Sequence, residues 1–491
     1  MMEKKLEHII HKIPCAVIGR RDISIGKITF DSRQVGPGDM FVAVKGTHTD
    51  GHEFIEDVIR KGASAVLCEL LPDKQPDHVT FIQVDDSARV LGLAVSNYYD
   101  NPGSHLKLVG VTGTNGKTSI ATLLYRLLTQ LGYKSGLLST VRNMIGEKEL
   151  AATHTTPDAI AIQSMLKQMV DEGCTHAFME VSSHAIDQKR ISGLEFDIAI
   201  FTNLTHDHLD YHKTIEGYLK AKKQLFDSLP ASAFALVNSD DRNGKVMVQN
   251  SRAKVKTFGV RSVADFKAKI IESHFDGMLV TLDGAELWIK LIGEFNASNV
   301  LAVYAAATLL GQPKDEILRI ISTLSTVDGR FEYVRSDKGI TAIVDYAHTP
   351  DALKNVLTTI NQIRGQTSQL ITVVGAGGDR DKTKRPVMGK ISAGLSDRVI
   401  LTSDNPRSED PDTIIAEMME GVLAENRNRV AAITDRREAI KTACMMAKPG
   451  DVILIAGKGH ETYQEIKGVR NYFNDKQIVS ELFQLNKINL H

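Results

Sequence analysis

Cysteine, net charge and long apolar runs are all scarce in this chain of 491 residues. Its four cysteines (Cys15, Cys68, Cys174 and Cys444) lie far apart, with no C-x-x-C pair. That spacing excludes a disulfide framework and a thiolate metal knuckle, and fits buried thiols in a reducing cytoplasm. The 59 Lys and Arg residues are balanced by 60 Asp and Glu, a net charge of −1. Nothing in that balance calls for nucleic acid or an anionic membrane as a partner. No apolar stretch reaches the roughly 18 residues of a membrane span, so no membrane insertion is expected. The opening "MMEKKLEHIIHKI" has no long apolar core or small-residue cleavage site and reads as no signal peptide. Solenoid repeats and low-complexity tracts are missing as well.

What is present is the pattern of a large α/β protein. The length is too great for one hydrophobic core and implies about three or four domains. Short β-rich apolar runs alternate with helical patterns, which predicts parallel sheets. Three segments emerge: residues 1–104, closed by the turn-rich "DNPGSH"; residues 105–330; and residues 331–491. In the first, "KITF", "MFVAV", "ASAVLCE" and "VTFIQV" read as strands. In the second, residues 268–292 switch to what looks like a small antiparallel meander. In the third, "TAIVDYA", "LITVVGA", "RVILTS" and "DVILIAG" are apolar enough to be buried on both faces.

The stretch "VGVTGTNGKTSIATLLYRLL" carries the most specific signal. A strict Walker A run would need glycine at position 111, which is valine; the glycines are Gly110, Gly113 and Gly116. The context is still strand, glycine-rich loop and amphipathic helix. Backbone N–H groups of Gly113, Thr114, Asn115, Gly116 and Lys117 at a helix N-terminus suit phosphate, Lys117 adds a positive charge, and the Thr118 hydroxyl suits Mg²⁺. The loop is read as a nucleotide site, which by itself permits motors, switches, kinases and ligases.

Further along, "FMEVSSHAIDQKR" places Glu180 at the end of an apolar strand, where parallel sheets carry active-site residues. "FTNLTHDHLDYH" follows with His206, Asp207, His208, Asp210 and His212, either a metal-binding cluster or a solvated polar loop. In "EGYLKAKKQLFDSL", helical spacing puts Lys222 on the apolar stripe with Tyr218, Leu225 and Leu229, while Lys220 and Lys223 point elsewhere. Such a lysine either snorkels to water or loses its proton. A neutral amine can take up CO₂ as a carbamate, turning a cation into a metal-binding anion.

"GVTGTNGKTS", "MEVSSHAIDQKR", "TNLTHDHLDYH", "GEFNASN", "GRFE", "DYAHTPD", "GAGGDRDKTKRP", "SDNPR" and "GKGHE" occur in this order along the whole chain. Together they resemble the Mur ligases, which build the peptide of bacterial cell-wall precursors, and the shifted glycine loop is that family's own version. The resemblance implies three domains: an N-terminal α/β domain for the UDP end of the substrate, a central P-loop-type parallel-sheet domain for ATP, and a C-terminal Rossmann-like domain for the amino acid. Among family members the chain most resembles those that attach meso-2,6-diaminopimelate to UDP-MurNAc-L-Ala-D-Glu. By that resemblance Glu180 and His208 hold Mg²⁺ with Thr118, and Lys222 is the carbamylated lysine. Ser32, Thr155, Thr156, Ser182, Gln188 and Arg190 match positions that contact the UDP-muramoyl dipeptide. Asn296, Arg330, Asp345 and His348 resemble the adenine and ribose side or its neighbours. Arg380, Asp404, Asn405, Pro406, Arg407, Gly457 and Glu461 correspond to the amino-acid pocket. Here Arg407 has a physical reason: its planar fork suits the far carboxylate of diaminopimelate, and lysine would leave it unpaired. His154 receives no role.

The implied reaction starts with attack of the D-Glu side-chain carboxylate on the γ-phosphate of ATP, giving an acyl phosphate and ADP. The diaminopimelate amine then displaces phosphate. Lys117, Glu180, His208 and Lys222 are the implied catalytic set, and the third segment is expected to close onto the second. A monomer is expected. Folylpolyglutamate synthases share the loop and the lysine chemistry but fit the first hundred residues and "DNPR" poorly. The D-Ala-D-Ala-adding relatives, a lysine-adding version and a nucleotide-gated switch are the other rivals.

Overall fold

The computed structural model describes residues 3–46, 49–152 and 154–488. Residues 1–2 of the N-terminal stretch and 489–491 of the third segment lie outside the described residues. Three main sheets organise the chain. The first has the strand order Ala16–Ile18, Thr80–Gln83, Ala65–Cys68, Met40–Val42 and Ile28–Thr29. The last four are parallel, as their apolar runs predict, but Ala16–Ile18 pairs antiparallel and caps an edge.

The central sheet has eleven strands. Lys107–Thr112 lies in its middle, hydrogen-bonded in parallel to His176–Glu180 on one side and Ile198–Phe201 on the other. The run is apolar because both faces are covered. Val109, Val111, Phe178, Ile198 and Ile200 point to one core, with Ile120, Leu123 and Leu124 of the helix Lys117–Gln130. The alternate residues Leu108, Ala177, Met179, Ala199 and Phe201 point to the other, where Tyr218, Leu225 and Phe226 of the helix Ile215–Asp227 pack. The period-two alternation of a strand thus serves two cores at once. The expected antiparallel meander is present as Phe266–His274, Gly277–Leu282 and Ala285–Ile289. It is no separate unit, because Phe266 and Lys267 pair in parallel with Phe258 and Gly259 and extend the same sheet.

In the third sheet the order is Glu332–Arg335, Thr341–Asp345, Val452–Ala456, Leu370–Val374, Arg398–Leu401 and Val430–Ala432. All but the first edge strand are parallel. The strand Val452–Ala456 is inserted between two strands that precede it in the chain by about a hundred residues. The carboxyl ends of this strand, of Leu370–Val374 and of Arg398–Leu401 therefore gather three loops, 457–461, 375–380 and 402–407, side by side. Among the described residues no helix is long and apolar enough to cross a membrane.

Candidate active site

The loop after Lys107–Thr112 needs glycine for steric reasons at two places. Gly116 has φ +91°, and a Cβ there would stand 2.6 Å from Asn299 Oδ1. At Gly113 a Cβ would fall 1.9 Å from Thr202 Oγ1. Lys117 curls over this loop, its Nζ donating to the carbonyls of Gly113 at 2.9 Å and Thr114 at 2.8 Å. Burial pulls its amine below the ordinary range, against the attraction of Glu180 and Asp207. Beside the loop opens a cavity of about 300 Å³ lined by Asn115, Gly116, Phe295, Asn299, Arg330 and Asp345. Asn296 lies behind that wall, its Nδ2 donating to the Ile292 carbonyl and its Oδ1 accepting from Asn299.

Two chain segments clasp this loop from the third sheet. Asn115 Nδ2 donates to Asp351 Oδ2 at 3.0 Å, and Arg330 Nη2 donates to Thr118 Oγ1 at 3.1 Å. The Arg330 guanidinium also lies over the Tyr346 ring, 4.6 Å from its centre. Buried Asp345 accepts from the Phe331 N–H at 2.6 Å, and burial raises its carboxyl despite Arg330. His348 Nδ1 bonds the Tyr346 carbonyl, and burial holds its imidazole down to about 4.

Lys222 settles one choice that spacing left open. It does not snorkel: it is 1% exposed, and its Nζ donates to the Gly113 carbonyl at 2.9 Å and more weakly to Thr112 Oγ1. Its amine also lies 4.6 Å from the centre of the Tyr218 ring. None of these partners is a carboxylate. Burial first, and the charge of Lys117 second, drive the amine well below its ordinary range, with only Asp207 opposing. Two lysines that share one carbonyl favour a neutral or anionic group at position 222. A carbamate fits that demand: it would remove one of two crowded cations and supply oxygens to a hard metal.

Glu180 is 1% exposed at its strand end, and its Oε1 accepts from the Thr140 N–H at 2.7 Å. His208 sits in left-handed backbone at φ +56°, its Nε2 3.3 Å from Asp207 Oδ2. Burial holds its imidazole below the ordinary range against Asp207. No three His, Cys, Asp or Glu side chains among the described residues converge as a ready-made cage. The donors expected from the sequence, one carboxylate and one imidazole with the Thr118 hydroxyl and position 222, would make a mixed set of the kind that suits Mg²⁺ with part of its water shell retained.

A groove of about 1110 Å³ runs between the first and central sheets, with Ser32 at one end and Gln188 and Arg190 at the other. His154, which had no role by sequence, also lines it. Arg190 is braced by Gln188 Oε1 and the Thr156 carbonyl. The Thr156 hydroxyl, in turn, bonds the Glu180 carbonyl at 2.9 Å and Ser182 Oγ at 3.3 Å. Thr155 accepts from Thr140 Oγ1, so these hydroxyls form one wall leading to Glu180.

The three loops on the third sheet assemble the remaining residues. Asn405 Nδ2 donates to Glu461 Oε2 at 2.8 Å. Asp404 is buried, with Oδ2 unpartnered, and a Cβ at Gly457 would stand 2.4 Å from that oxygen. Burial would raise the Asp404 carboxyl, but Lys458 and Arg436 outweigh it. Pro406 packs its carbonyl against Gly378, where a Cβ would clash at 1.9 Å. Arg407 is left-handed at φ +53°, and its Nη1 donates to the Gly378 carbonyl at 2.6 Å. Arg380 is exposed, with a 3.4 Å bond to the Asp379 carbonyl. Residues that sequence reasoning passed over brace these loops. Arg385 is fully buried and ties Glu409, Glu417 and the Gly377 carbonyl together. Lys458 and Arg436 are as deeply buried. Arg385 in "DRDKTKRP" and Arg436 in "TDRREA" lie in charged runs and Lys458 in "GKGHE" between glycines, so the local sequence carries no signal of their burial.

Comparison with known proteins agrees with this geometry. The Mur ligase middle domain profile matches residues 111–307, the Mur ligase glutamate ligase domain residues 329–459, and the Mur ligase family catalytic domain residues 24–99. The chain is 56% identical to the UDP-N-acetylmuramoyl-L-alanyl-D-glutamate--2,6-diaminopimelate ligase of Cytophaga hutchinsonii, over 97% of this chain and 99% of that one. A solved structure of a ligase of the same name is 33% identical, covers 99% of this chain and 100% of its own, and superposes with a TM-score of 0.70. The MurF ligase of Thermotoga maritima in complex with ADP shares the fold at 20% identity and TM-score 0.63, over 95% and 98% of the two chains.

Proposed function

The chain belongs to the Mur ligase family, and we propose that it joins meso-2,6-diaminopimelate to the D-Glu side-chain carboxylate of UDP-MurNAc-L-Ala-D-Glu at the expense of ATP. The observation that carries this reading is the set of contacts that leads from the long groove to Glu180: Arg190, which lines the groove, bonds the Thr156 carbonyl, the Thr156 hydroxyl bonds Ser182 and the Glu180 main-chain carbonyl, and the Glu180 carboxylate attracts Lys117. An acceptor carboxylate arriving along that groove would meet the γ-phosphate end of a nucleotide held by Gly113 to Thr118.

Two anions must approach in the first step, so charge neutralisation dominates. Lys117 supplies a cation at the loop, and Arg330 a second at Thr118. Thr118, Glu180, His208 and carbamylated Lys222 would hold Mg²⁺, which when bound adds further positive charge at the phosphates. In the second step the amine must sit beside the acyl phosphate, which is a matter of proximity. Asp404, Arg407 and Glu461 would grip the two charged ends of diaminopimelate, and Arg407 would select for its far carboxylate. Ser32, Gln188 and Arg190 would hold the UDP-sugar dipeptide.

The test is the mass of the product from purified protein, ATP, Mg²⁺, UDP-MurNAc-L-Ala-D-Glu and equal meso-diaminopimelate and lysine. The diaminopimelate tripeptide is the expected product. A lysine product would keep the ligase and remove the role given to Arg407. ATP turnover indifferent to both substrates would favour a nucleotide switch.

A further inference from the structure

Lys458 lies two residues beyond the strand Val452–Ala456 and is 0% exposed. Its ammonium reaches neither water nor a surface carboxylate. Nζ donates to Asn405 Oδ1 at 3.0 Å and to Glu461 Oε2 at 2.9 Å. The Glu461 N–H donates back to the Lys458 carbonyl at 3.0 Å, closing a turn around the pair.

These bonds nearly exhaust Asn405. Its Oδ1 accepts from Lys458 and from the Glu465 N–H at 2.9 Å, and its Nδ2 donates to Glu461. Both bonds to Glu461 fall on Oε2, so Oε1 remains to receive a ligand's ammonium group. A second carboxylate, Asp404, is buried next to Asn405 with an unpartnered oxygen. Lys458, with Arg436 nearby, therefore supplies the positive charge that lets these two carboxylates stand together. A buried amine this well bonded has no free path to a ligand, yet through Asn405 and directly it sets the angle of Glu461, which is only half-buried.

We propose that Lys458 is a positioning residue for the amino-acid substrate: it locks Asn405 and Glu461 into the geometry in which Glu461 Oε1 and Asp404 meet the ligand, and does not touch the ligand itself. This rests on the amino-acid pocket assigned under the proposed function. A lysine that served only to fill the core would affect all three substrates alike. A positioning lysine affects one.

The experiment compares Lys458→Met, Glu461→Gln and the double variant with the intact chain, reading kcat and the KM of each substrate. For Lys458→Met the KM of meso-diaminopimelate should rise about 10- to 100-fold, the scale seen when outer-shell partners of a site are lost. The KM of ATP and of UDP-MurNAc-L-Ala-D-Glu should stay within about twofold. Because the two residues act as a unit, the double variant should be no worse than the poorer single one. It also removes the Glu461 charge that loss of the lysine leaves unpaired, while Arg436 still faces Asp404, so it should fold where Lys458→Met is too unstable to assay. An unchanged diaminopimelate KM in Lys458→Met, an equal rise in all three KM values, or loss of fold in both Lys458 variants would overturn the proposal. Failure of the unsubstituted chain to make tripeptide would instead overturn the functional reading.

Discussion

Lys222 owes its place in the fold to helical spacing. Helical spacing alone put it on the stripe with Tyr218, Leu225 and Leu229, and all four are essentially buried. What spacing leaves open is the partner, since it carries no distances; the shared Gly113 carbonyl decides against a snorkelling lysine. Replacing it with methionine should lower kcat at least about 100-fold, the scale of losing one preorganised electrostatic contact, with the melting temperature held or raised. Protein equilibrated with ¹³C-bicarbonate should show a carbamate carbon resonance that Lys222→Met lacks; its absence from the intact chain would remove the carbamate. Arg407 allows a second prediction. Truncation to alanine removes charge-assisted bonds worth about 1.5–3 kcal/mol, so the diaminopimelate KM should rise about 10- to 150-fold and the preference over lysine should shrink, as competition assays would show. Lys458 was invisible at this scale, because "GKGHE" has no periodicity from which burial can be inferred.

Elements follow the same rule: what is local is legible, and what joins elements is not. The strand–loop–helix of residues 107–130 and the four strand runs of the third sheet stand where their apolar patterns indicate. The hairpin Tyr463–Ile466 with Val469–Tyr472 was missed, because its residues are largely exposed and lack an apolar face. The meander's fusion to the central sheet was missed because two residue pairs, Phe258 with Phe266 and Gly259 with Lys267, create it. The glycine loop gives a controlled test. Gly116 and Gly132 share φ +91°, but Gly132 has nothing within 4 Å of its would-be Cβ. Gly132→Ala should cost only local backbone strain, while Gly116→Ala must also push Asn299, whose amide is engaged with Asn296. We expect calorimetric titration to find ATP binding weakened at least tenfold in Gly116→Ala and unchanged in Gly132→Ala, with about 1–3 kcal/mol of strain at either site.

Across the whole molecule, the order of the motifs along the chain announced that distant segments meet, and the contacts that join the central and third sheets include Asn115 with Asp351, Arg330 with Thr118, and His206 with Asp381. Their geometry was beyond reach, since each is a pairing of single side chains far apart in sequence. Stability should also respond to acid as a whole-molecule property. Burial holds His348 down to about 4, from an ordinary value of 6.5. The unfolded chain therefore binds a proton below about pH 6.5 that the fold refuses until about pH 4, so stability is lost as pH falls across that window. One such group contributes up to about 1.4 kcal/mol per pH unit. Thermal melts between pH 7.5 and 5 should fall, and His348→Gln should flatten the slope; an unchanged slope would place the acid sensitivity elsewhere. The strand Val452–Ala456 carries one last consequence. It fills the middle of the third sheet but leaves the ribosome after both neighbours, Thr341–Asp345 and Leu370–Val374. Until it arrives, those two strands present bare inner edges, the surfaces most prone to wrong pairing. Biosynthesis of this chain therefore has a vulnerable interval of about eighty residues of translation, when a holding chaperone would matter most.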